Sequence, residues 1–246
     1  MRLILIAFFV ANSFSSSVAM AAGQGTADHG WSDAEPTVTR NGMLRFITGP
    51  DFVPGAVPEI LERLENGDEG TLVRAALVEA LRRTGAEAEL WGSAVAKASL
   101  QESDAYVRMT MVDTLRRVPM TAETNVQTAL EASLASPNVE VRAAGARTIG
   151  GHAQGKLMAN QLIAAMDDTA PEVRQSATQA VGWLTLDAAF GPLQARLSDD
   201  DALTRARALR ALGRIDSHQA AKLPQVRLMV ADTDPRVVRA AQILLD

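Results

Sequence analysis

The residues that could do chemistry are few. The 246-residue chain has three histidines: His29, His152 and His218. None stands in a His-x-x-x-His or His-Glu pair, so the spacing that sets two metal ligands on one helical face is missing. Asp199-Asp200-Asp201 offers the clustered oxygens a hard cation needs, but without the spaced ligands and distal Glu of a calcium loop. A helix-capping turn is the expected use of that triplet. There is no cysteine, which removes thiolate ligands, thiol nucleophiles and disulfides together. Gly-x-Ser-x-Gly, Ser-x-x-Lys, Gly-x-Gly-x-x-Gly and the P-loop are likewise missing, and Gly92-Ser93 falls inside a predicted helix. The run Gly150-Gly151-His152-Ala153-Gln154-Gly155 follows no strand and reads as a loose inter-repeat loop. No catalytic, cofactor-binding or metal-ligating residue is assigned, and the chain does not read as an enzyme.

Cationic chemistry is better represented. Arg207, Arg210 and Arg214 recur at i, i+3 and i+7 on one helical face, beside Arg205. A basic stripe can meet phosphate. However, the chain carries 24 basic against 29 acidic side chains, a formal charge of −5, and only three lysines. Nucleic acid is therefore not the expected partner; a solvated face, or a contact with a protein or an anionic polymer, fits better.

What positions these side chains is a repeat. Six segments share an apolar residue or Thr, then Arg, then a helical apolar pattern: LVRAALVEAL, YVRMTMVDTL, EVRAAGARTI, EVRQSATQAV, LTRARALRAL and VVRAAQILL. Their arginines, Arg74, Arg108, Arg142, Arg174, Arg205 and Arg239, are spaced by 34, 34, 32, 31 and 34 residues. In the third copy Val141, Ala144, Gly145, Thr148 and Ile149 fall at i, i+3, i+4, i+7 and i+8, one face of a helix. The first copy repeats this with Val73, Ala76, Leu77, Ala80 and Leu81. Small residues on that face predict close helix–helix approach. An acidic or polar turn precedes each copy, where Asp104, Asn138, Thr169, Asp201 and Asp234 are expected N-caps, and Pro171 and Pro235 suit a first helical turn. Gly150-Gly151, Gly182 and Gly213 are expected to stop helices.

A second apolar run precedes every turn: Val57 to Leu64, Leu90 to Leu100, Val126 to Leu134, Leu157 to Met166, Phe190 to Leu197 and Leu223 to Val230. Each period is therefore helix A, turn, helix B. A lone hairpin of this kind cannot bury its apolar faces, whereas stacked neighbours bury them continuously. The expected fold is all-α, an α-solenoid of about six stacked helix-turn-helix repeats. The 4% aromatic content agrees, because alanine and leucine must fill the core.

The pattern D-x-x-P-x-V-R-x-x-A at Asp168–Ala177, with Ala211-Leu212-Gly213, resembles HEAT-like repeats of the short, phycobilisome-lyase type over roughly residues 55 to 246. The resemblance implies that the six repeat arginines join turn aspartates in an inter-repeat polar ladder. It also implies that helix B lines the concave side. On that basis position five after each arginine, Glu79, Asp113, Arg147, Gln179 and Arg210, together with Arg207 and Arg214, is the candidate interaction surface. It is expected to run from acidic to basic along the chain. Relatives that are di-iron hydroxylases use paired His-Glu motifs, which this chain lacks. Tetratricopeptide repeats share the period, but their Trp-Leu-Gly-Tyr signature is missing.

The N-terminal 21 residues read as an address. Arg2, the apolar run Leu3 to Ala11 and Ala19-Met20-Ala21 match the n-region, h-region and cleavage site of a signal peptide. Residues 22–54 read as a flexible leader and a capping segment, and 55–246 as the repeat domain. No later run is long enough to span a membrane. The expectation is an exported, periplasmic or extracellular, non-enzymatic scaffold for protein partners without a cofactor. The alternative is an accessory or enzyme of the lyase-like type acting on cofactor-bearing proteins. Val237, Ile243, Leu244 and Leu245 are expected to leave an open apolar end, suited to end-to-end homo-oligomers.

Overall fold

The computed structural model describes residues 57–66, 70–83, 88–121 and 123–246, and every regular element among them is helical. The segments expected to be a signal, a leader and a cap, residues 1–54, lie outside the described residues. The chain divides into two compact units, Met1–Thr84 and Gly85–Asp246. In the first, α1 (Val57–Asn66) packs on α2 (Thr71–Arg83). Val57, Ile60 and Leu64 of α1 are buried, as are Ala76, Leu77, Ala80 and Leu81 of α2.

The second unit is five hairpins in series. Their A helices are α3 (Glu89–Gln101), α5 (Val126–Leu134), α7 (Ala159–Ala165), α9 (Phe190–Ala195) and α11 (Pro224–Leu228). Their B helices are α4 (Ala105–Thr114), α6 (Val139–Gly151), α8 (Pro171–Trp183), α10 (Ala202–Ala221) and α12 (Pro235–Leu245). Each A helix packs on its own B helix, and each B helix packs on the next, so the B helices form a continuous layer. The core lies between the layers. Leu130, Ile149, Leu162, Leu193, Leu209 and Leu212 are all but fully buried there. Each contributes about 1.5–3 kcal/mol relative to exposure. The predicted stripe Val141, Ala144, Gly145, Thr148, Ile149 is buried throughout. This is an α-solenoid of stacked helical hairpins.

Three A helices are shorter than their apolar runs because each adjoins a 3₁₀ turn: Gly155–Met158 before α7, Arg196–Ser198 after α9, and Met229–Ala231 after α11. The caps follow the turn chemistry. Asp104 accepts the N–H groups of Tyr106 and Val107, and Asn138 those of Glu140 and Val141. Asp201 accepts from Thr204 and Asp234 from Arg236. Each such cap stabilises its helix by about 1 kcal/mol. Thr169 departs from expectation: Ala170 takes the N-cap position without a side-chain bond, and Asp168 accepts the Ala170 N–H at 2.8 Å.

The glycines do not stop helices. Gly150 and Gly182 lie inside the last turns of α6 and α8, and Gly213 inside the last turn before the break in α10. Their role is close approach. A Cβ on Gly150 would sit 2.5 Å from the Ala180 Cβ, and one on Gly182 would sit 2.7 Å from that of Ala211. What ends the B helix in α10 is Asp216, whose φ of −155° and ψ of 96° break the helical path. Its carboxylate then accepts the Gln219 N–H at 2.8 Å and starts the next turn.

Candidate interaction surface

Three repeat arginines of the second unit share one geometry. Arg142 donates Nε and Nη2 to the two oxygens of Asp168, at 2.8 and 2.9 Å. Arg174 does the same to Asp199 at 2.9 and 2.8 Å, and Arg205 to Asp232 at 2.8 Å for both bonds. The third nitrogen reaches back to the carbonyls of the arginine's own turn: Ser136 and Pro137, Asp168 and Thr169, Asp199 and Asp200. Each guanidinium therefore ties the turn of its own hairpin to the turn of the next, in the forked geometry Arg makes with a carboxylate.

The electrostatics follow. The Arg142 hydrogen bonds hold the Asp168 carboxyl below its ordinary range, and those of Arg205 do the same for Asp232. Burial pushes Asp199 upward, but the bonds from Arg174, the Asp201 N–H and the charges of Arg174 and Arg196 outweigh it, so the net shift is downward. The partner guanidiniums of Arg142, Arg174 and Arg205 are raised, chiefly by the same hydrogen bonds.

The Arg108 rung is built differently. Its Nη2 reaches the Ala132 carbonyl at 3.3 Å, and its Nε is buried without a hydrogen-bond partner. The position equivalent to Asp168 and Asp199, six residues before the next arginine, is Ser136, which has no charge to offer. Arg74 lies on α2 of the first unit. Arg239 is exposed on α12 and meets no carboxylate among the described residues. Sequence reasoning gave the arginines and missed their acceptors by number. The available signal was an Asp six residues before the following arginine, seven for Asp232.

The position-five residues sit on the B layer. Asp113 of α4 and Arg147 of α6 approach to 3.9 Å, and Thr148 Oγ1 donates to Asp113 at 3.2 Å. Gln179 of α8 is half-buried and Arg210 of α10 is exposed. Arg207 is half-buried; its desolvation lowers the guanidinium pKa, Asp201 raises it, and the charges of Arg210 and Arg147 lower it further. Asp113, Arg147, Arg207 and Arg210 are thus electrostatic neighbours, whereas Arg214 is exposed farther along α10. Glu79 lies on α2 of the first unit and is engaged by Arg82, whose Nε donates at 2.9 Å.

The remaining candidates take structural places. Asp199 and Asp201 of the acidic triplet are consumed by the Arg174 rung and the α10 cap. Among the described residues no cluster of His, Asp and Glu could hold a metal ion. The glycine-rich run is not loose, contrary to expectation. His152 is buried; its Nδ1 accepts the Gln154 N–H at 2.9 Å, so the Nε2 proton is donated to the Val118 carbonyl at 2.7 Å. Gln154 Oε1 in turn accepts the Met120 N–H at 2.7 Å. These bonds fasten the end of one hairpin to the loop of the previous one. At the C-terminal end, Val237 is fully buried rather than open, because it faces the core of its own hairpin; Ile243 remains 68% exposed.

Helical hairpins whose B helices stack in one layer define the class of α-helical repeat solenoids. The HEAT-repeat family matches residues 126–202 and 159–245, and the matched part of the chain is HEAT-like. No curated protein sequence matches the chain. Among solved structures, a computationally designed armadillo repeat protein for modular peptide recognition is similar at 18% identity and a TM-score of 0.51, over 82% of this chain and 97% of that one. A designed armadillo repeat protein in complex with the peptide (KR)4 is similar at 17% identity and a TM-score of 0.50, over 82% and 96%. An engineered protein solved by structural genomics aligns at 19% identity and a TM-score of 0.50, over 84% and 94%. These similarities concern the fold. No described helix is long and apolar enough to cross a membrane.

Proposed function

We propose that this chain is an exported, non-enzymatic scaffold that binds protein segments along its B-helix layer. The observation that carries this is the row Asp113, Arg147, Gln179, Arg207 and Arg210. It is mostly charged, at least partly exposed and set on consecutive helices, of which α6, α8 and α10 are tied in sequence by the arginine–aspartate rungs. Solenoids of this kind present extended surfaces without needing a catalytic constellation, and the solved armadillo structure with (KR)4 is a repeat fold engaging a peptide. Arg142, Arg174 and Arg205 serve the scaffold and not a ligand, since their nitrogens are bonded within the protein. Export is read from the Arg2, Leu3–Ala11 and Ala19-Met20-Ala21 pattern.

A photo-crosslinking residue at Gln179, compared with one at the exposed Asn160 of α7, tests the surface in cells. Discrete protein adducts from position 179 and not 160 are expected; equal labelling refutes the B-layer assignment. Fractionation of the same cells tests export, which retention of the full chain in the cytoplasm would refute.

A further inference from the structure

An open surface cleft of about 440 Å³ lies where the third hairpin closes against the second. Its wall includes Arg116 and Arg117 from the turn after α4, Pro119, Gly151 at the end of α6, and His152 and Gln154 beyond it. The hydrogen-bonding capacity of this wall is one-sided. Both ring nitrogens of His152 are committed, to the Gln154 N–H and the Val118 carbonyl. Gln154 Oε1 is committed to the Met120 N–H, which leaves its NH₂ group over. Arg116 and Arg117 are exposed and have neither an acidic partner nor a carbonyl acceptor among the described residues. The spare side-chain groups are therefore two guanidiniums and the Gln154 NH₂, all donors, and no carboxylate lines the space.

A single cation at this helix end would offset the negative pole of α4. A second, with both guanidiniums free, exceeds that need. Arg116 is also positioned by the backbone: a Cβ on Gly151 would stand 2.8 Å from Arg116 Cδ and 3.2 Å from Nε, so the side chain lies across that glycine. The volume falls within the range of sites that hold a small organic group and exceeds what a lone inorganic ion fills.

We propose that this cleft binds a carboxylate side chain of an acidic peptide segment, with Arg116 and Arg117 as the paired donors. The inference rests on the peptide-binding reading above and gives it a ligand class, at a place distinct from the Arg147–Arg210 row. Fluorescence anisotropy of a labelled hexa-aspartate peptide with the full chain in low salt tests it. The comparison uses Arg116→Ala/Arg117→Ala, Arg207→Ala/Arg210→Ala, and Lys222→Ala/Arg227→Ala as an exposed charge-matched control. The first variant is expected to weaken binding at least tenfold, with a shallower salt dependence, while the control stays within about twofold of wild type. All these side chains are partly or fully exposed, and circular dichroism verifies that each variant is folded. An unchanged affinity in Arg116→Ala/Arg117→Ala overturns the proposal. A loss confined to Arg207→Ala/Arg210→Ala also overturns it but leaves the scaffold reading standing. Wild type that ignores hexa-aspartate overturns the acidic ligand, while crosslinks from position 179 still report on the scaffold.

Discussion

Asp199→Asn is the sharpest probe of the polar rungs. The carboxylate is 2% exposed and accepts Arg174 Nε and Nη2 at 2.9 and 2.8 Å, Arg196 Nη1 at 3.4 Å and the Asp201 N–H at 2.9 Å. An asparagine of the same shape removes the charge and turns one acceptor into a donor that faces a guanidinium. Breaking a buried ion pair by removing one partner costs about 3–5 kcal/mol. Arg174 keeps 14% of its side-chain surface and its bonds to the Asp168 and Thr169 carbonyls, which places the loss at the lower end, about 3 kcal/mol. For a domain of this size that is a fall of about 6–12 °C in Tm, read by far-UV circular dichroism during heating. Asp168→Asn should cost less, about 2 kcal/mol, because Asp168 is 15% exposed and water partly replaces what is lost. Should Asp199→Asn lower Tm by less than about 2 °C, the rungs would not be what couples one hairpin to the next.

The vacant rung makes the converse test: Ser136→Asp should supply Arg108 with its missing acceptor and raise Tm by about 2–4 °C, whereas Ser136→Ala should not raise it. Gly182→Ala should destabilise by about 2 kcal/mol despite the better helix propensity of alanine, because its Cβ meets the Ala211 backbone at 2.8 Å. Gly191→Ala, with nothing within 4 Å, should be neutral or stabilising by about 0.5 kcal/mol, both read from urea melts. Asp168, Asp199, Asp232 and Asp234 are all held below the ordinary carboxylate range, Asp234 at about 2 by its bonds to Arg236. Depressed values of this kind add stability above about pH 4, where the unfolded groups ionise, and that stability is lost as pH falls toward 2. Tm should therefore hold from pH 7 to 5 and drop steadily below 4; a Tm that rises on acidification would contradict the assignment.

The architecture was legible because the apolar period is local and repeated. Val126 to Leu134 coincides with α5 end to end, and the stripe from Val141 to Ile149 is buried as the 3.6-residue period requires. Glycine misled because two properties of the residue compete in sequence. Gly150, Gly182 and Gly213 look like stops, yet their lack of a Cβ serves contact with Ala180, Ala211 and Leu244 from other helices, which no local pattern displays. Asp216 failed in the opposite direction: a break inside a good helical sequence is set by one backbone conformation and the cap that follows it. The rung acceptors were half legible, since turn acidity is plain while the choice of Asp168 over Asp167 depends on direction across 26 residues of chain. The cleft beside Arg116 was not legible at all. It depends on His152 turning a donor and Gln154 an acceptor toward the loop of the previous hairpin, at a separation of 34 residues in each case.

The uneven spacing of charge along the rungs bears on how the chain yields to force. Clamps at Arg142, Arg174 and Arg205 lock their junctions from both sides, while the one at Arg108 grips a single carbonyl. Under tension such an array does not stretch like a spring of equal coils. At the Arg108 seam the load passes instead to the His152–Val118 and Met120–Gln154 bonds, so each junction meets the pull through a different set of ties.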